Sequence, residues 1–228
     1  MLKTNLVALI LLMFLLFIAC DDGSFPIDPE NYGHVMVIHA SPDAPGVDVY
    51  VEALDVENDL NYPDNTRYLH LEEESYNIAL KVTGTDDVAL ETDLDVKGGE
   101  YHSVFACDAV AKLTALVIKD EYPTPDSTEA FLRFVHLSPD APAVDVTLTD
   151  GTKLFESTSF KGSTPFSGVK PGIYDLQVRL AGTEDVVVEL TNVKIIPRAA
   201  YTCWAKGFVN GSDGQELGGE LIFNRIVL

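Results

Sequence analysis

An eleven-residue motif that occurs twice constrains the fold of this chain more than any other feature. Residues 39–49 read His-Ala-Ser-Pro-Asp-Ala-Pro-Gly-Val-Asp-Val, and residues 136–146 repeat nine of these eleven positions at an offset of 97. An offset of about one hundred residues is the size of a small domain, whereas solenoid repeats return after about 20 to 50 residues. The sequence therefore predicts one module that is used twice.

Residues 1–19 have the composition of an export signal. Lys3 provides a positive charge, residues 6–18 are apolar without interruption, and the segment is short for a transmembrane helix. The sequence Phe17-Ile-Ala-Cys20 resembles a bacterial lipobox, although Phe17 stands where such boxes usually carry leucine. The resemblance implies that the segment is removed and that Cys20 is lipidated. An ordinary cleaved signal peptide and an uncleaved anchor are the alternatives.

The segment that follows the predicted lipid anchor is polar. Residues 20–33 contain two prolines and two glycines, which predicts a flexible tether. Asp21 and Asp22 resemble the export signal that places lipoproteins of the Bacteroidetes on the outer face of the outer membrane, and a plain solvated tether is the alternative. We expect a cell-envelope protein that its N-terminal lipid anchors to the outer membrane, with the modules facing the cell surface.

The chain is strongly acidic. It has 15 lysines and arginines against 36 aspartates and glutamates, and removal of the signal leaves 14 bases and a net charge of −22. Such a surface repels phosphate backbones and anionic lipid head groups. Nucleic-acid binding is therefore not expected, and no sequence motif indicates a cofactor.

Short runs of alternating apolar and polar residues, separated by turn residues, continue along the chain after the tether. No stretch has a helical period over eleven residues or more, and turn signals return every eight to twelve residues. This pattern predicts an all-β fold with two tandem Ig-like β-sandwich domains, at residues 34–119 and 131–228. Residues 57–66 are polar and are predicted to form a loop.

Residues 120–130 contain two prolines among acidic and hydroxyl side chains, which predicts a stiff linker between the two domains. Within it, Asp126-Ser127-Thr128 resembles the short acceptor sequence for O-glycosylation in the Bacteroidetes. The resemblance implies a sugar on Ser127, and chance occurrence of so short a motif is the alternative.

The repeated motif has a turn chemistry of its own. Pro42 and Pro45 fix the backbone φ angle and remove hydrogen-bond donors, so the segment cannot extend the preceding strand. Asp43 can accept hydrogen bonds from free backbone N–H groups. The motif is thus predicted to be a rigid corner between two sheets, and we expect His39 and Asp48 to form a hydrogen bond across it.

A calcium site is the functional alternative for the same motif. It would use Asp43 and Asp48 in the first copy, and Asp140 and Asp145 in the second. Calcium takes six to eight oxygen ligands, of which two carboxylates supply only a part.

The motif resembles the opening of the DUF4397 domain, a domain of unknown function common in secreted and surface proteins, which typically reads His-x-Ser-Pro-Asp-Ala-Pro-x-Val-Asp-Val. The segments 83–88 and 181–186 share a Gly-Thr-acid-Asp-Val sequence that also resembles the family. The likeness extends over nearly all of residues 34–228 and implies a lipoprotein with two tandem copies of the domain. It implies a fold and a location, and it implies no activity.

Cys107 and Cys203 remain once Cys20 is assigned to the lipid. A compartment outside the cytoplasm permits a disulfide. When Tyr101 is aligned with Tyr201, however, the two cysteines occupy different positions in their modules. Two unpaired buried cysteines are therefore expected, and a bridge between the modules is the alternative.

Trp204 is the candidate for a ligand-binding side chain. It lies on a predicted strand with other aromatic residues and could stack on a sugar ring, or it could fill a sandwich core.

Catalytic signatures are scarce. The five histidines form no His-Glu-x-x-His pair, and the chain has no Gly-x-Ser-x-Gly elbow, phosphate-binding glycine loop or dinucleotide fingerprint. We therefore expect no enzyme, but a non-catalytic binding or structural module whose partner is a protein or glycan at the cell surface. The alternatives are a carbohydrate-binding accessory lipoprotein and a calcium-dependent hydrolase. A local function is expected where the modules differ, at residues 57–66 or at Trp204 with residues 210–214.

Overall fold

The structure is a computed structural model that describes residues 31–124 and 128–227. In these ranges the chain forms sixteen strands in four sheets and one short 3₁₀ helix, Val110–Lys112. The all-β prediction and the two β-sandwiches are confirmed. The strands of the first module are β1 (Tyr32–Ala40), β2 (Val47–Val51), β3 (Leu54–Leu60), β4 (Leu69–Glu72), β5 (Ser75–Val82), β6 (Val88–Asp95), β7 (Tyr101–Cys107) and β8 (Thr114–Lys119).

The second module contains eight further strands in the same order. They are β9 (Ala130–His136), β10 (Val144–Leu148), β11 (Lys153–Thr158), β12 (Ser167–Val169), β13 (Gly172–Leu180), β14 (Val186–Ile195), β15 (Ala199–Lys206) and β16 (Gly218–Ile226).

Each module is a sandwich of an outer and an inner sheet. The outer sheets have the strand orders β3-β2-β5-β6 and β11-β10-β13-β14, and the inner sheets have the orders β4-β1-β7-β8 and β12-β9-β15-β16. In both inner sheets the two central strands are parallel, and every other pair in the four sheets is antiparallel. The two modules therefore share one topology.

The strand registers define which residues correspond between the modules. Met36 of β1 pairs with Ser103 of β7, and Arg133 of β9 pairs with Thr202 of β15. Since β9 follows β1 at an offset of 97, β15 follows β7 at an offset of 99. The alignment of Tyr101 with Tyr201 is therefore wrong by one residue, which in a strand moves a side chain to the opposite face.

Both faces of the central strands are buried, and they pack in two different places. In β1, Val35 and Val37 point into the core of the first sandwich, whereas Met36 and Ile38 belong to a separate apolar cluster. The strand alternates side chains between its two faces, so one strand contributes to both clusters. The corresponding strand β9 divides its side chains in the same way, with Leu132 and Phe134 in the second sandwich core.

The separate cluster joins the two modules, because it contains side chains from both inner sheets. Its buried members are Met36, Ile38, Ala40, Phe105, Cys107, Val135, Leu137, Trp204 and Ile222. The inner sheets thus face each other, and the molecule has four layers in the order outer, inner, inner, outer. The two sandwiches form one packed unit.

Three strands were not predicted from the sequence, and all three are sheet edges. The segment predicted as a loop, residues 57–66, begins inside β3, whose residues are exposed at five of seven positions. The strands β11 and β12 are the other two. An edge strand with a solvated face carries polar residues and lacks the apolar alternation on which the prediction depended.

The segment between the modules packs against both of them. Asp120 is only 4% exposed, and the Tyr122 ring contacts Tyr101 of the first module and Phe166 of the second. At the start of the first module, β1 includes Tyr32 and Gly33, which were predicted to belong to the tether.

Candidate functional site

The repeated motif connects β1 to β2 in the first module and β9 to β10 in the second, and so leads the chain from an inner to an outer sheet. The Asp43 carboxylate accepts a hydrogen bond from the Val110 amide at 2.8 Å, and the Asp140 carboxylate accepts one from the Val209 amide at 2.9 Å. The predicted corner is present in both modules, with the same hydrogen bonds.

The histidine of each corner binds within its own motif. His39 Nε2 donates to the Pro45 carbonyl and His136 Nε2 to the Pro142 carbonyl, each at 2.9 Å. The expected hydrogen bond between His39 and Asp48 is wrong, because the imidazole spans the corner loop and reaches a main-chain oxygen instead. Burial lowers the pKa of His39 and of His136.

The second aspartate of each motif holds two backbone amides. Asp48 accepts from the Asp59 amide at 2.9 Å and from the Gly84 amide at 3.2 Å. Asp145 accepts from the amides of Ser157 and Gly182 at 2.7 and 3.2 Å, and Lys153 Nζ lies 3.0 Å away.

These hydrogen bonds stabilise an unusual backbone. Asp59 and Ser157 both have positive φ angles, 56° and 50°, which L-residues adopt at a cost. The hydrogen bonds from Asp59 and Gly84 lower the pKa of Asp48, and those from Ser157, Lys153 and Gly182 lower the pKa of Asp145 against the opposing effect of burial.

The four aspartates that were considered as calcium ligands thus all accept backbone hydrogen bonds. Among the residues that the structure describes, no group of three or more histidine, cysteine or acidic side chains is arranged to hold a metal ion. The observed partners give each of these carboxylates a role in the corner.

Trp204 does not form a binding platform. Its side chain is 0% exposed and lies in the cluster between the inner sheets, at the edge of the Phe105 and Tyr62 rings. A buried indole has no free face on which a sugar can stack, so the sequence hypothesis for Trp204 is corrected. The alternative prediction, that Trp204 fills the core of one sandwich, was also inexact. The indole lies in the junction between the two sandwiches.

Cys107 and Cys203 are both free and buried. Cys107 belongs to the cluster between the modules, and Cys203 lies in the core of the second sandwich. Burial raises the pKa of the Cys107 thiol to about 11 and that of the Cys203 thiol to about 12. The two unpaired cysteines are as expected, and neither is an activated nucleophile.

An ion pair is buried between the modules. Arg133 of β9 is 2% exposed, and its Nη1 lies 2.5 Å from Oδ1 of Asp120 in the linker. The same guanidinium donates to Thr202 Oγ1 at 2.8 Å and to Ser103 Oγ at 3.0 Å, and its Cζ atom lies 4.6 Å from the centroid of the Phe166 ring. One arginine of the second module thereby binds the linker and the first module.

The polar network continues from Asp120 to Tyr68 and Asn224. Tyr68 donates its hydroxyl proton to Asp120 at 2.6 Å and accepts from Asn224 Nδ2 at 3.2 Å. Burial and the Asp120 charge raise the pKa of Tyr68, so the phenol stays protonated. Tyr68 and Asn224 also line an open space at the junction of the modules.

That space is a cleft of about 630 Å³ at the junction of the two modules. We call it the inter-module cleft. Its lining residues from the first module are His34, Met36, Asn65, Thr66, Arg67, Tyr68, His70 and Tyr101, and those from the second module are Phe223, Asn224, Arg225 and Ile226.

The rings of the cleft are packed against one another. The His34 imidazole stacks on the Tyr101 ring with 4.0 Å between centroids, and the His70 ring meets His34 edge-on at 4.7 Å. The Arg225 guanidinium lies 4.2 Å from the centroid of Tyr101. Burial, together with the charges of His70 and Arg225, lowers the pKa of His34 to about 4.

The sequence alone did not predict this cleft. Asn65 and Thr66 belong to the segment at residues 57–66 where a local function was expected, but Trp204 and residues 210–214 do not line it. No motif marks its residues, because they come from β1, β7, the loop before β4, β4 itself and β16. Cys20 and Ser127 lie outside the described residues.

Two β-sandwiches that pack face to face, with a cleft where they meet, define a two-module all-β protein. The chain belongs to the DUF4397 family, since the model of this domain of unknown function matches residues 33–147. The match covers the first module and extends through the second copy of the motif.

Comparison with solved structures gives a likeness to the Bacillus anthracis TIE protein, with 11% identity and a TM-score of 0.28. It covers 85% of this chain and 44% of that chain, so the present chain spans less than half the length of that protein. A likeness at this level supports no argument about function. No curated protein matches the chain. In residues 31–124 and 128–227, no helix is both long and apolar enough to cross a membrane.

Proposed function

We propose that the protein is a lipid-anchored, non-catalytic binding protein of the cell envelope and that it binds its ligand in the inter-module cleft. The observation that supports this proposal is the composition of the cleft wall, to which both modules contribute side chains. The cleft exists only while the inner sheets stay together. Ligand pockets of about 300 to 1,000 Å³ are common at such domain junctions.

We further propose that the second module is a second copy of the DUF4397 domain. The order of its eight strands, the parallel pair in its inner sheet and the hydrogen bonds of its corner equal those of the first module. The inner sheets of the two copies then face each other within one chain.

The cleft is suited to binding because its position is fixed. The Arg133–Asp120 ion pair and the apolar cluster around Trp204 both cross the junction. A site that is fixed before the ligand arrives loses less conformational freedom on binding. We therefore assign the two-module arrangement a role in holding the cleft open in one shape.

The lipid anchor and the outer-membrane location rest on the sequence around Cys20. Cys20→Ala should release the protein from the membrane fraction, and unchanged fractionation would contradict the anchor. Digestion of intact cells with an external protease should remove the protein if the modules face the surface, and full protection would contradict that orientation.

The binding role can be tested by blocking the cleft. Asn65 is exposed and lines the cleft, so Asn65→Cys can be labelled with a bulky maleimide while the two buried native thiols stay unreacted. Leu54→Cys, at a residue 68% exposed on β3, is the matched control. On an array of glycans and peptides, the Asn65 label should abolish binding and the Leu54 label should leave it unchanged. Equal binding by the two labelled proteins would contradict the proposal.

A further inference from the structure

The inter-module cleft has an unusual charge for this protein. The chain has 36 acidic residues against 15 lysines and arginines, yet the twelve residues that line the cleft include two arginines, two histidines and no acid. Two arginines that line one cleft attract an anion locally, even though Arg67 also lines a neighbouring pocket that contains Glu57, Asp59 and Asp64. Charges farther away than about 8 Å are largely screened at physiological ionic strength.

Both arginines of the cleft carry guanidinium groups that can bind an anion. Within the described part of the chain, neither Arg67 nor Arg225 takes part in a salt bridge. Arg225 is held in place by the Tyr101 ring and by a hydrogen bond of 2.9 Å from its Nε to the Ile226 carbonyl. Its two terminal nitrogens remain as the planar pair of donors that suits a carboxylate.

A buried polar atom also lacks a partner at this site. His34 is 6% exposed, and its Nδ1 has no hydrogen-bond partner among the described residues. Because the imidazole is neutral at pH 7, this nitrogen can pair with a hydroxyl group, either as donor or as acceptor. A buried polar atom without a partner is disfavoured. Nδ1 is enclosed, so a ligand hydroxyl can reach it only when the neighbouring rings of His70 and Tyr101 move slightly apart.

An exposed ring borders the same cleft. Phe223 is 50% exposed and is held by an edge contact with Tyr201 at 5.7 Å, and the neighbouring Ile226 is 37% exposed. Exposed aromatic faces beside hydrogen-bonding groups are suited to a ring that is apolar on one face and polar at its rim. A sugar ring has this character.

We propose that the inter-module cleft binds a sugar unit that carries one carboxylate, a uronic acid. Arg67 and Arg225 contact the carboxylate, His34 contacts a hydroxyl and Phe223 packs on the ring face. The net charge of −21 on the chain disfavours a long polyanion, so the ligand presents its acid singly, next to neutral sugars. This inference rests on the proposed function, because it assigns a ligand class to the same cleft.

The test is isothermal titration of the purified protein with an aldobiouronic acid, which joins one uronic acid to one neutral sugar. The matched control ligand is the same disaccharide with its carboxylate reduced to an alcohol. We expect binding of the acid and a loss of roughly tenfold or more in affinity for the reduced sugar, the effect of one charged hydrogen bond. Equal affinities for the two sugars would overturn the inference.

Single-residue variants test whether the acidic sugar binds at the two arginines of the cleft. Arg67→Gln and Arg225→Gln should each weaken binding of the acid by roughly tenfold, whereas Arg198→Gln, at an exposed arginine outside the cleft, should not change it. Arg225→Lys should restore only part of the affinity, since it keeps the charge and loses the planar donor pair. Unchanged binding in Arg67→Gln and Arg225→Gln would overturn the inference.

Competing ligands separate this inference from the proposed function. Sodium sulfate or triglutamate that binds the cleft as tightly as the acidic sugar would overturn the assignment to a uronic acid. A neutral glycan that binds, and that the Asn65 label displaces, would also overturn it while supporting the proposed function. Failure of every array ligand to respond to the Asn65 label would overturn both.

Discussion

The two modules share the hydrogen bonds of their corners and differ in the side chains that meet between them. The corner contacts of Asp43 and His39 return in Asp140 and His136, with distances that agree within 0.1 Å. On the facing sheets, by contrast, Met36 corresponds to Arg133 and Phe105 to Trp204. The repeated residues build the sandwich, and the residues that differ build the junction and its cleft.

This difference has a physical reason. A corner must satisfy the same backbone groups in each copy, so the same side chains serve both. In the junction, by contrast, a charge can be buried only beside an opposite charge and hydrogen-bonding groups. Arg133 forms its ion pair with Asp120 of the linker. The second module therefore needs an arginine where the first module has Met36, and the two modules can no longer be identical at this position.

The largest loss of stability is expected from a substitution that makes the two sides of the junction more alike. Arg133→Met gives the second module the residue that the first has at Met36, and it leaves Asp120 buried without its ion-pair partner. We expect a loss of about 3 to 5 kcal/mol in the free energy of unfolding, measured by urea denaturation. The double variant Arg133→Met, Asp120→Asn should recover part of the loss, since no buried charge remains. A single variant with unchanged stability would show that the ion pair does not fix the junction.

A smaller loss of stability is expected from Trp204→Phe, which gives the second module the same residue that the first module has at Phe105. The shorter side chain leaves a cavity between the inner sheets, and we expect a loss of about 1 to 2 kcal/mol in urea denaturation. Trp204 is the only tryptophan, so its fluorescence reports on the junction. In the unaltered protein, emission should shift to longer wavelength only when the modules separate. An emission maximum typical of exposed indole in the native protein would contradict its buried position.

The corners should respond equally to the same change. Asp43→Ala and Asp140→Ala each remove one acceptor of a backbone amide, and we expect losses of about 1 kcal/mol in both modules. Thermal unfolding of the two single variants should therefore give closely similar midpoints. A midpoint that falls in only one variant would show that the two corners contribute differently.

The smallest effect is expected from the corner histidines. Burial lowers the pKa of His39 and His136, so the unfolded chain binds protons more readily than the folded one as the pH falls below about 6.5. Stability should thus decrease between pH 7.5 and 5. His39→Gln and His136→Gln keep a donor for the proline carbonyl and remove the titration, and each should flatten the dependence of the melting temperature on pH by a similar amount. If the melting temperature depends on pH in both variants as it does in the unaltered protein, the corner histidines are not the origin of the pH dependence.

The pattern of the sequence was sufficient to predict two β-sandwiches, but not all of their strands. The repeated motif predicted the corner because proline and aspartate act on the backbone next to them, and local effects can be read from local sequence. Apolar residues on both faces predicted the central strand β1, and alternation of apolar and polar residues predicted β2 and β10, while the polar edge strands β3, β11 and β12 gave no such signal. Val35 and Met36 also showed that both faces of β1 are apolar.

The partner of the second face was decided only by the tertiary structure. An apolar face is compatible with a sandwich core, a second module or another chain, since the hydrophobic effect has no direction. The cleft depends on that choice, because His34, Tyr68 and Arg225 are far apart in the sequence and meet only when the inner sheets pack together. The sequence by itself thus determined two sandwiches and their corners, and the packing of one on the other determined the site.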